Sequence, residues 1–167
     1  MAEALQDDAY LDLLNRYFEC TAGSVLAAGG EVLSFIGDAV LAIFPVDAEG
    51  SDAHSAAEAA LEAANQARQK LKELNASSGK QEAINFGLGL HIGRVMHGNI
   101  GVPERVDFTV IGPAVNEVSR IEALCDLLET GLIASGEFVS AARGAASNLR
   151  SCGFHELRGV REPIELF

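Results

Sequence analysis

Cysteines, basic residues and long apolar runs are all scarce in this sequence. It contains three cysteines, and its 12 Lys and Arg residues face 24 Asp and Glu residues, for a formal net charge of −12. The cysteines are far apart and form no Cys-x-x-Cys pair, so we expect free thiols of a reducing compartment rather than a disulfide framework. The apolar runs are much shorter than the roughly 18–20 residues that cross a bilayer.

The shortage of basic residues also excludes classes of partner. Duplex DNA and an anionic membrane face both require a basic patch, so such an acidic chain is a poor candidate for either. The N-terminal stretch carries Glu3, Asp7, Asp8 and Asp12, the opposite of the basic start of a signal peptide. We therefore expect a cytoplasmic domain with no nucleic-acid partner and no membrane contact of its own, either alone or within a larger or membrane-tethered protein.

The remaining composition is that of an ordinary globular domain. The 167 residues are 49% hydrophobic and 22% charged, and this length suggests about one domain with a sizeable core. We find no repeat, linker or low-complexity tract, so we assign residues 1–167 to a single domain.

Hydrophobic periodicity predicts alternating helices and strands. Apolar residues at steps of three and four predict helices over 8–28, 52–74, 113–129 and near 135–143. Alternating or β-branched runs predict strands over 31–36, 39–44, 84–93, 94–101, 107–111, 131–134, 153–158 and 162–167, with an arm-like loop over 102–106. This alternation around one sheet predicts an α/β sandwich (α+β) of two or three layers.

The first candidate site is the Gly37-Asp38 turn of the predicted hairpin over 31–44. Glycine and aspartate both favour tight turns, so Asp38 can be explained as a turn former. Alternatively, its carboxylate projects from a rigid hairpin tip as a ligand for a hard cation. The turn alone favours the first explanation.

The second candidate is a pair of polar residues on the helix that follows Ile111-Gly112. Asn116 and Arg120 are four residues apart and share one helix face. An amide and a guanidinium together can hold a ribose oxygen and a phosphate. On spacing alone, ordinary surface polar groups explain the pair equally well.

Other polar residues give weaker signals. His91 and His97 have no nearby cysteine partner, so a structural histidine is the favoured interpretation. The glycines between Gly87 and Gly93 lie within a strand pattern and indicate close packing rather than a dinucleotide loop. Three serines also lack the context of a nucleophile elbow: Ser24, Ser51 and Ser135.

Several ordered motifs together resemble the catalytic domain of class III adenylate and guanylate cyclases. They are Gly30-Glu-Val-Leu-Ser-Phe-Ile-Gly-Asp-Ala-Val-Leu-Ala-Ile-Phe-Pro45, the stretch from Gly87-Leu-Gly-Leu-His-Ile-Gly93 through Arg120, and Leu157-Arg-Gly-Val-Arg-Glu-Pro-Ile-Glu-Leu-Phe167. The resemblance covers about residues 8–167.

The resemblance implies a ferredoxin-like βαββαβ core with extra C-terminal strands and a head-to-tail homodimer that binds ATP or GTP at its interface. Two carboxylates of that family hold two Mg²⁺ or Mn²⁺ ions, which activate the ribose 3′-hydroxyl and neutralise the triphosphate. By the same resemblance, Asp38 is a metal ligand, Asn116 orients the ribose and Arg120 stabilises the transition state. The implied reaction converts ATP to 3′,5′-cyclic AMP and pyrophosphate.

The same resemblance assigns the substrate-binding residues. Thr109 stands where the family reads the purine edge, and a threonine there is typical of adenylate cyclases. Val110 follows and offers backbone contacts to the base. Arg158 is a weaker match to a basic residue that holds the terminal phosphates.

Two departures from the family pattern lower the expected activity. The family's first strand carries the second metal aspartate, and the sequence starts within or just before the helix that follows that strand. Ser34 stands where the family has a purine-reading lysine. We therefore expect little turnover from the chain as it stands, because its ions are underliganded. The alternative is a catalytically silent cyclase-homology domain used for dimerisation or regulation.

Overall fold

A computed structural model describes residues 7–47, 50, 52–77, 83–102 and 105–167. The helices are α1 (Asp7–Ala27), α2 (Ala53–Ser77), α3 (Pro113–Glu122), α4 (Leu124–Leu127) and α5 (Gly136–Ala142). The strands are β1 (Glu31–Ile36), β2 (Ala39–Ile43), β3 (Gly89–Leu90), β4 (Met96–Val102), β5 (Arg105–Ile111), β6 (Ile133–Ala134), β7 (Gly153–His155) and β8 (Ile164–Leu166).

Helices α1 and α2 pack against each other and follow the predicted bounds closely. The buried face of α2 is mostly alanine, with Leu61, Leu71 and Leu74 as its large residues. Small side chains let neighbouring elements approach closely, while the leucines supply most of the apolar area removed from water. Among the helices described in the structure, none is both long and apolar enough to cross a membrane.

The predicted helix over 113–129 is divided into α3 and α4. Ala123 ends α3 and stands directly before α4, and its backbone N–H bonds to the Ser119 carbonyl. After α4, Glu129 adopts a positive φ of 49°. The helical segment therefore stops two residues before the predicted end.

The first hairpin has the tight turn that the sequence predicts. Ile36 pairs with Ala39 across Gly37-Asp38, and Gly37 has a φ of 65°, which glycine adopts without steric cost. The register shifts between Val32 and Ser34, so this hairpin carries an irregularity near its open end.

The second hairpin corrects the arm-like loop predicted over 102–106. Strands β4 and β5 stay paired to their ends, where Val102 lies opposite Arg105. Of the predicted loop, only residues 103 and 104 lie outside the described part of the chain. The loop prediction was therefore wrong at residues 102, 105 and 106, because the strand pairing continues through them.

The strand pairs also differ from the single sheet that the sequence suggested. Among the described residues, continuous pairing joins the strands as β1 with β2, β3 with β6, β4 with β5, and β7 with β8. An isolated antiparallel bridge between Ser135 and Leu166 also connects the residue after β6 to β8. The alternating run over 84–93 forms strand pairs only at Gly89 and Leu90, which lie parallel to Ile133 and Ala134. Apolar alternation marks which side chains face the core, but a strand also needs a paired neighbour.

Three apolar clusters form the core of the described part of the chain. One joins α2 to α5 through Ala57, Leu61 and Phe138, and another joins α1, α2 and the segment that leads into β3 through Cys20, Leu71 and Phe86. The third lies beneath α3 and contains Ile121, Cys125, Ile133, Leu157 and Leu166. At the edge of this third cluster, Ala134 and Phe167 exchange two backbone hydrogen bonds of 2.8 and 2.9 Å.

Candidate active site

One strand–turn–helix unit carries Thr109, the predicted base-reading residue, and the polar pair Asn116 and Arg120. Strand β5 ends at Ile111, and α3 begins at Pro113. Between them Gly112 has a φ of 151°, and a Cβ atom there would lie 3.0 Å from the Arg94 carbonyl oxygen. Proline suits the first helical position because its missing N–H would have no partner there. The turn therefore holds the end of β5 close to the start of α3.

Glycines in the neighbouring strand segment bring α3 into backbone contact. A Cβ atom on Gly89 would lie 2.8 Å from the Val118 carbonyl oxygen, and one on Gly87 would lie 2.8 Å from the Cys125 Cβ. These distances leave no room for side chains, so the interpretation of the Gly87–Gly93 run as close packing is confirmed. The face of α3 that meets the strand is fixed at backbone level.

The opposite side of α3 leaves Asn116 and Arg120 available. Asn116 is exposed and Arg120 is half-buried. A Cβ atom on Gly159 would lie 3.5 Å from Nη1 of Arg120 and 3.8 Å from its Nη2. The guanidinium therefore lies against the turn between β7 and β8, where the neighbouring residue is the exposed Arg158. Two guanidinium-bearing residues near one turn suit a polyanionic ligand.

The candidates Ser34 and Asp38 lie on the β1–β2 hairpin rather than on α3. Asp38 is exposed at the tip of the β1–β2 hairpin, and Ser34 is half-buried within β1 opposite Leu41. Strand β5 contacts β1, which brings the strand that carries Thr109 next to this hairpin. Thr109 is half-buried and Val110 is buried, with Gly98 and His97 as their partners on β4.

The structure therefore groups the predicted residues in two sets. Asp38 and Thr109 belong to adjacent strand pairs, while Asn116 and Arg120 share α3 and meet the turn that holds Arg158. In the described part of the chain, no hydrogen bond or ion pair joins one set to the other.

The carboxylates of the described residues do not complete a two-ion metal site. Asp38 supplies one exposed carboxylate. Within residues 7–167, excluding those that the structure does not describe, no group of three or more His, Cys, Asp and Glu side chains is placed to share a metal ion. Hard divalent cations take six or more oxygen ligands, several from the protein, so these residues alone do not fit the implied pair of ions.

Sequence reasoning missed two titratable groups beside Asp38. Burial raises the pKa of Tyr17 to about 12, with smaller contributions from the carboxylates of Asp38 and Glu122. Burial also raises the pKa of Glu122, and the charges of Asp126 and Asp38 add to that rise. Tyr17, Asp38 and Glu122 come from α1, the hairpin and α3, so no spacing along the chain could reveal their proximity.

The weaker candidates have structural roles. His91 bonds to Ser135 and Glu117, in agreement with the interpretation as a structural histidine. Ser135 is fully buried and caps α5 by accepting a hydrogen bond from the Phe138 N–H. The cysteines Cys20, Cys125 and Cys152 are all free, as expected.

The fold and the motif residues together define a nucleotide cyclase catalytic domain. The family model of the adenylate and guanylate cyclase catalytic domain matches residues 1–165, so the chain belongs to this family. The crystal structure of the adenylyl cyclase CyaB from P. aeruginosa matches 99% of this chain and 84% of that one, with a TM-score of 0.83 and 28% identity. The expected cyclase fold is thereby confirmed.

Relatives in sequence are larger proteins. An adenylate cyclase of Anabaena cylindrica is 36% identical over 141 residues, which cover 78% of this chain and 26% of that protein. The terminal-differentiation-specific adenylate cyclase of Dictyostelium discoideum is 31% identical over 168 residues, which cover 99% of this chain and 8% of that protein. The chain thus spans about a quarter or less of these two relatives.

Proposed function

We propose that this domain converts ATP to 3′,5′-cyclic AMP and pyrophosphate. The ribose 3′-hydroxyl oxygen forms a bond to the α-phosphorus, and the bond from that phosphorus to the bridging oxygen of the β-phosphate breaks. Pyrophosphate leaves with the electron pair of that bond, and the hydroxyl proton passes to solvent. No oxidant or further reactant is needed.

The observation that carries this proposal is the placement of Arg120 and Asn116 on α3. The guanidinium of Arg120 lies against the Gly159 turn next to Arg158, and Asn116 is exposed one helical turn earlier. A phosphate held at that turn would meet a rigid, always charged donor. Asn116 would then orient the ribose, and Arg120 would stabilise the charge that develops on the α-phosphate.

We assign recognition of the base to β5. The Thr109 hydroxyl can accept a hydrogen bond from the adenine amino group, and the backbone of Val110 offers further contacts. The Anabaena and Dictyostelium relatives are adenylate cyclases, which supports ATP over GTP. Ser34, on the neighbouring hairpin, is too short for the base contact that a lysine would make there.

We propose that the complete site forms between two copies of this chain arranged head to tail. The hairpin with Asp38 and the strand with Thr109 belong to one set of residues, and α3 belongs to the other. A second copy would bring one chain's Asp38 and Thr109 opposite the other chain's Asn116 and Arg120. Mg²⁺ or Mn²⁺, the ions that the family implies, would bind with ATP at this interface, with Asp38 as one protein ligand.

The test measures cyclic AMP formed from ATP with Mn²⁺ or Mg²⁺, by this chain and by any longer protein that contains it. In an active form, Arg120→Ala and Asn116→Ala should each lower kcat by about 100-fold or more, since a transition-state donor contributes that much. Substrate affinity should change much less. Arg150→Ala is the matched control, because Arg150 is exposed and outside the proposed site.

Two results would reject the proposal. One is an active protein in which Arg120→Ala and Arg150→Ala behave alike. The other is a longer protein that supplies a second aspartate and still makes no cyclic nucleotide from ATP or GTP, even after Ser34→Lys. The second result would favour the silent homology domain, for which Ser34 and the single described metal carboxylate are the supporting observations.

A further inference from the structure

We propose that His91 and Glu117 are positioning residues for the cyclase reaction, which fix α3 so that Asn116 and Arg120 meet the substrate in one orientation. The inference rests on the proposed function for its effect on catalysis. It rests on the structure for the contact itself, which joins α3 to the end of β3 and to the start of α5.

The contact is a chain of three side chains from three elements. His91 Nε2 lies 2.9 Å from Oε2 of Glu117, and His91 Nδ1 lies 2.9 Å from Oγ of Ser135. The His91 side chain is only 5% exposed, and Ser135 is fully buried. Hydrogen bonds in such a water-poor environment hold side chains in one geometry more firmly than surface bonds do.

The chemistry of the groups defines the direction of each hydrogen bond. An ionised Glu117 can only accept, so His91 Nε2 carries a proton and donates it. In neutral imidazole, Nδ1 is then an acceptor for the Ser135 hydroxyl, whose oxygen also accepts from the Phe138 N–H at 3.2 Å. Both ring nitrogens of His91 and the Ser135 oxygen therefore have partners, so the ring cannot turn without breaking a hydrogen bond.

The same three residue types occur in serine hydrolases, but this arrangement does not suit nucleophilic attack. The Ser135 oxygen is inaccessible to solvent, and it already caps α5. A nucleophile must reach its substrate, so this serine serves to hold the histidine ring. The hydrogen-bonded set Glu117–His91–Ser135 therefore has a structural role, because it links α3 to the end of β3 and to the start of α5.

The link meets α3 between the two residues of the candidate site. Glu117 directly follows Asn116 and stands three residues before Arg120, close to it on the helix surface. Gly93, which follows β3, leaves room for this contact, because a Cβ atom there would lie 3.1 Å from His91 Nε2 and 2.7 Å from the Ala114 Cβ. A rotation of α3 would stretch the His91–Glu117 bond and displace Arg120 from the Gly159 turn together.

The experiment compares Glu117→Ala with Glu117→Gln in whichever form of the protein makes cyclic AMP. Glutamine keeps an oxygen that accepts from His91 Nε2, while alanine removes it. We expect Glu117→Ala to lower kcat by about 10–100-fold, the effect of a small misplacement of catalytic groups. KM should change by less than about threefold, and Glu117→Gln should restore most of the wild-type kcat. If Glu117→Ala does not fold, Glu117→Met preserves the length of the side chain without an acceptor.

A matched control is available in a second histidine–glutamate pair. His54 Nε2 lies 3.6 Å from Oε2 of Glu58 on α2, far from α3 in sequence and half-exposed. Glu58→Ala should leave kcat and KM unchanged. If Glu117→Ala keeps the wild-type kcat, or if Glu117→Gln fails as completely as Glu117→Ala, the positioning role is rejected.

Amide hydrogen exchange on the same variants separates this inference from the proposed function. We expect Glu117→Ala to speed exchange in α3 by about tenfold through local opening, with no such change in Glu117→Gln or Glu58→Ala. If no form of the protein makes cyclic nucleotide, the proposed function fails. The exchange data still decide whether the His91–Glu117 contact holds α3. If exchange in α3 is the same in all variants, the role of the His91–Glu117 contact in holding α3 is rejected, whatever the activity.

Discussion

At the scale of single residues, Glu122 carries a carboxyl group whose ionised form is disfavoured in the folded protein. Burial raises the pKa of its carboxyl, and the nearby carboxylates of Asp126 and Asp38 add to that rise. A raised pKa in the folded state means that folding favours the protonated form. Ionised Glu122 therefore opposes folding, and this cost is present above its folded-state pKa and vanishes well below its ordinary value of 4.5.

Glu122→Gln should accordingly stabilise the domain at pH 7. We expect Tm to rise by up to about 3 °C, because solvent screening limits such effects at a partly open position. The difference from the wild type should shrink as pH falls through 4.5 and vanish well below it, where Glu122 is protonated in both the folded and the unfolded state. Thermal unfolding at several pH values measures it, with Glu156→Gln as an exposed control. A difference independent of pH would contradict the assignment.

The three thiols should differ sharply in reactivity. Cys152 is exposed, whereas Cys20 and Cys125 are 7% and 3% exposed, and burial raises the pKa of both buried thiols. Because the thiolate is the reactive form, an aromatic disulfide reagent at pH 8 should modify one thiol quickly and the other two only after denaturation. Cys152→Ser should abolish the fast phase; two fast equivalents would contradict the structure.

Some site residues could be found in the sequence because their signals are local. Gly37-Asp38 between two apolar runs predicted the turn, and the four-residue step from Asn116 to Arg120 predicted a shared helix face. Glu117 is different, because its partner His91 is 26 residues away and no periodicity connects them. The same holds for Glu122 and Asp38, whose interaction depends on how a helix and a hairpin pack.

At the scale of elements, helices were predicted more accurately than strands. The bounds of α1 and α2 lie within about three residues of the prediction, since helical periodicity is contained in the segment itself. A strand is defined by its neighbour, so the run over 84–93 was predicted as one strand but is paired only at Gly89 and Leu90. The short strands β6 to β8 were found but predicted too long for the same reason.

The close contact between α3 and β3 yields a prediction about Gly89. A Cβ atom there would meet the Val118 carbonyl oxygen at 2.8 Å and the Glu122 nitrogen at 3.1 Å, and backbone atoms cannot move without shifting α3. Gly89→Ala should therefore destabilise the domain by about 1–3 kcal/mol. Gly144→Ala is the control, because nothing lies within 4 Å of its added Cβ. Urea denaturation compares the two, and equal midpoints would refute this packing.

At the scale of the whole molecule, the candidate site is divided between two regions. The hairpin and β5 carry Asp38 and Thr109, and α3 carries Asn116 and Arg120. Sequence motifs pointed to all four residues but could not show that the fold places the two pairs on separate elements. That separation is a property of the fold, and it is the reason for proposing that a second copy completes the site.

Mixing two inactive variants tests this assembly. If each site takes Asp38 from one chain and Arg120 from the other, Asp38→Ala and Arg120→Ala are each inactive alone. Half of the mixed dimers are then heterodimers with one intact site of two, so activity should recover to about a quarter of the wild type. Sedimentation should show a mass that rises with concentration from 17.6 kDa toward twice that value. A mixture as inactive as its components, in a protein that is active as wild type, would argue for a site within one chain.

The position of β6 in the chain has a consequence for the order of folding. Two hairpins, β1–β2 and β4–β5, join residues that are close in sequence, whereas His91 meets Ser135 across 44 residues and Ala134 pairs with Phe167. Long loops close slowly, because their entropy must be overcome before distant contacts form. During synthesis, α3 therefore emerges after His91 but before Ser135 and Phe167, which complete the contacts around it. We expect the face of α3 that carries Asn116 and Arg120 to reach its final orientation only after those later residues have emerged, among the last events of folding.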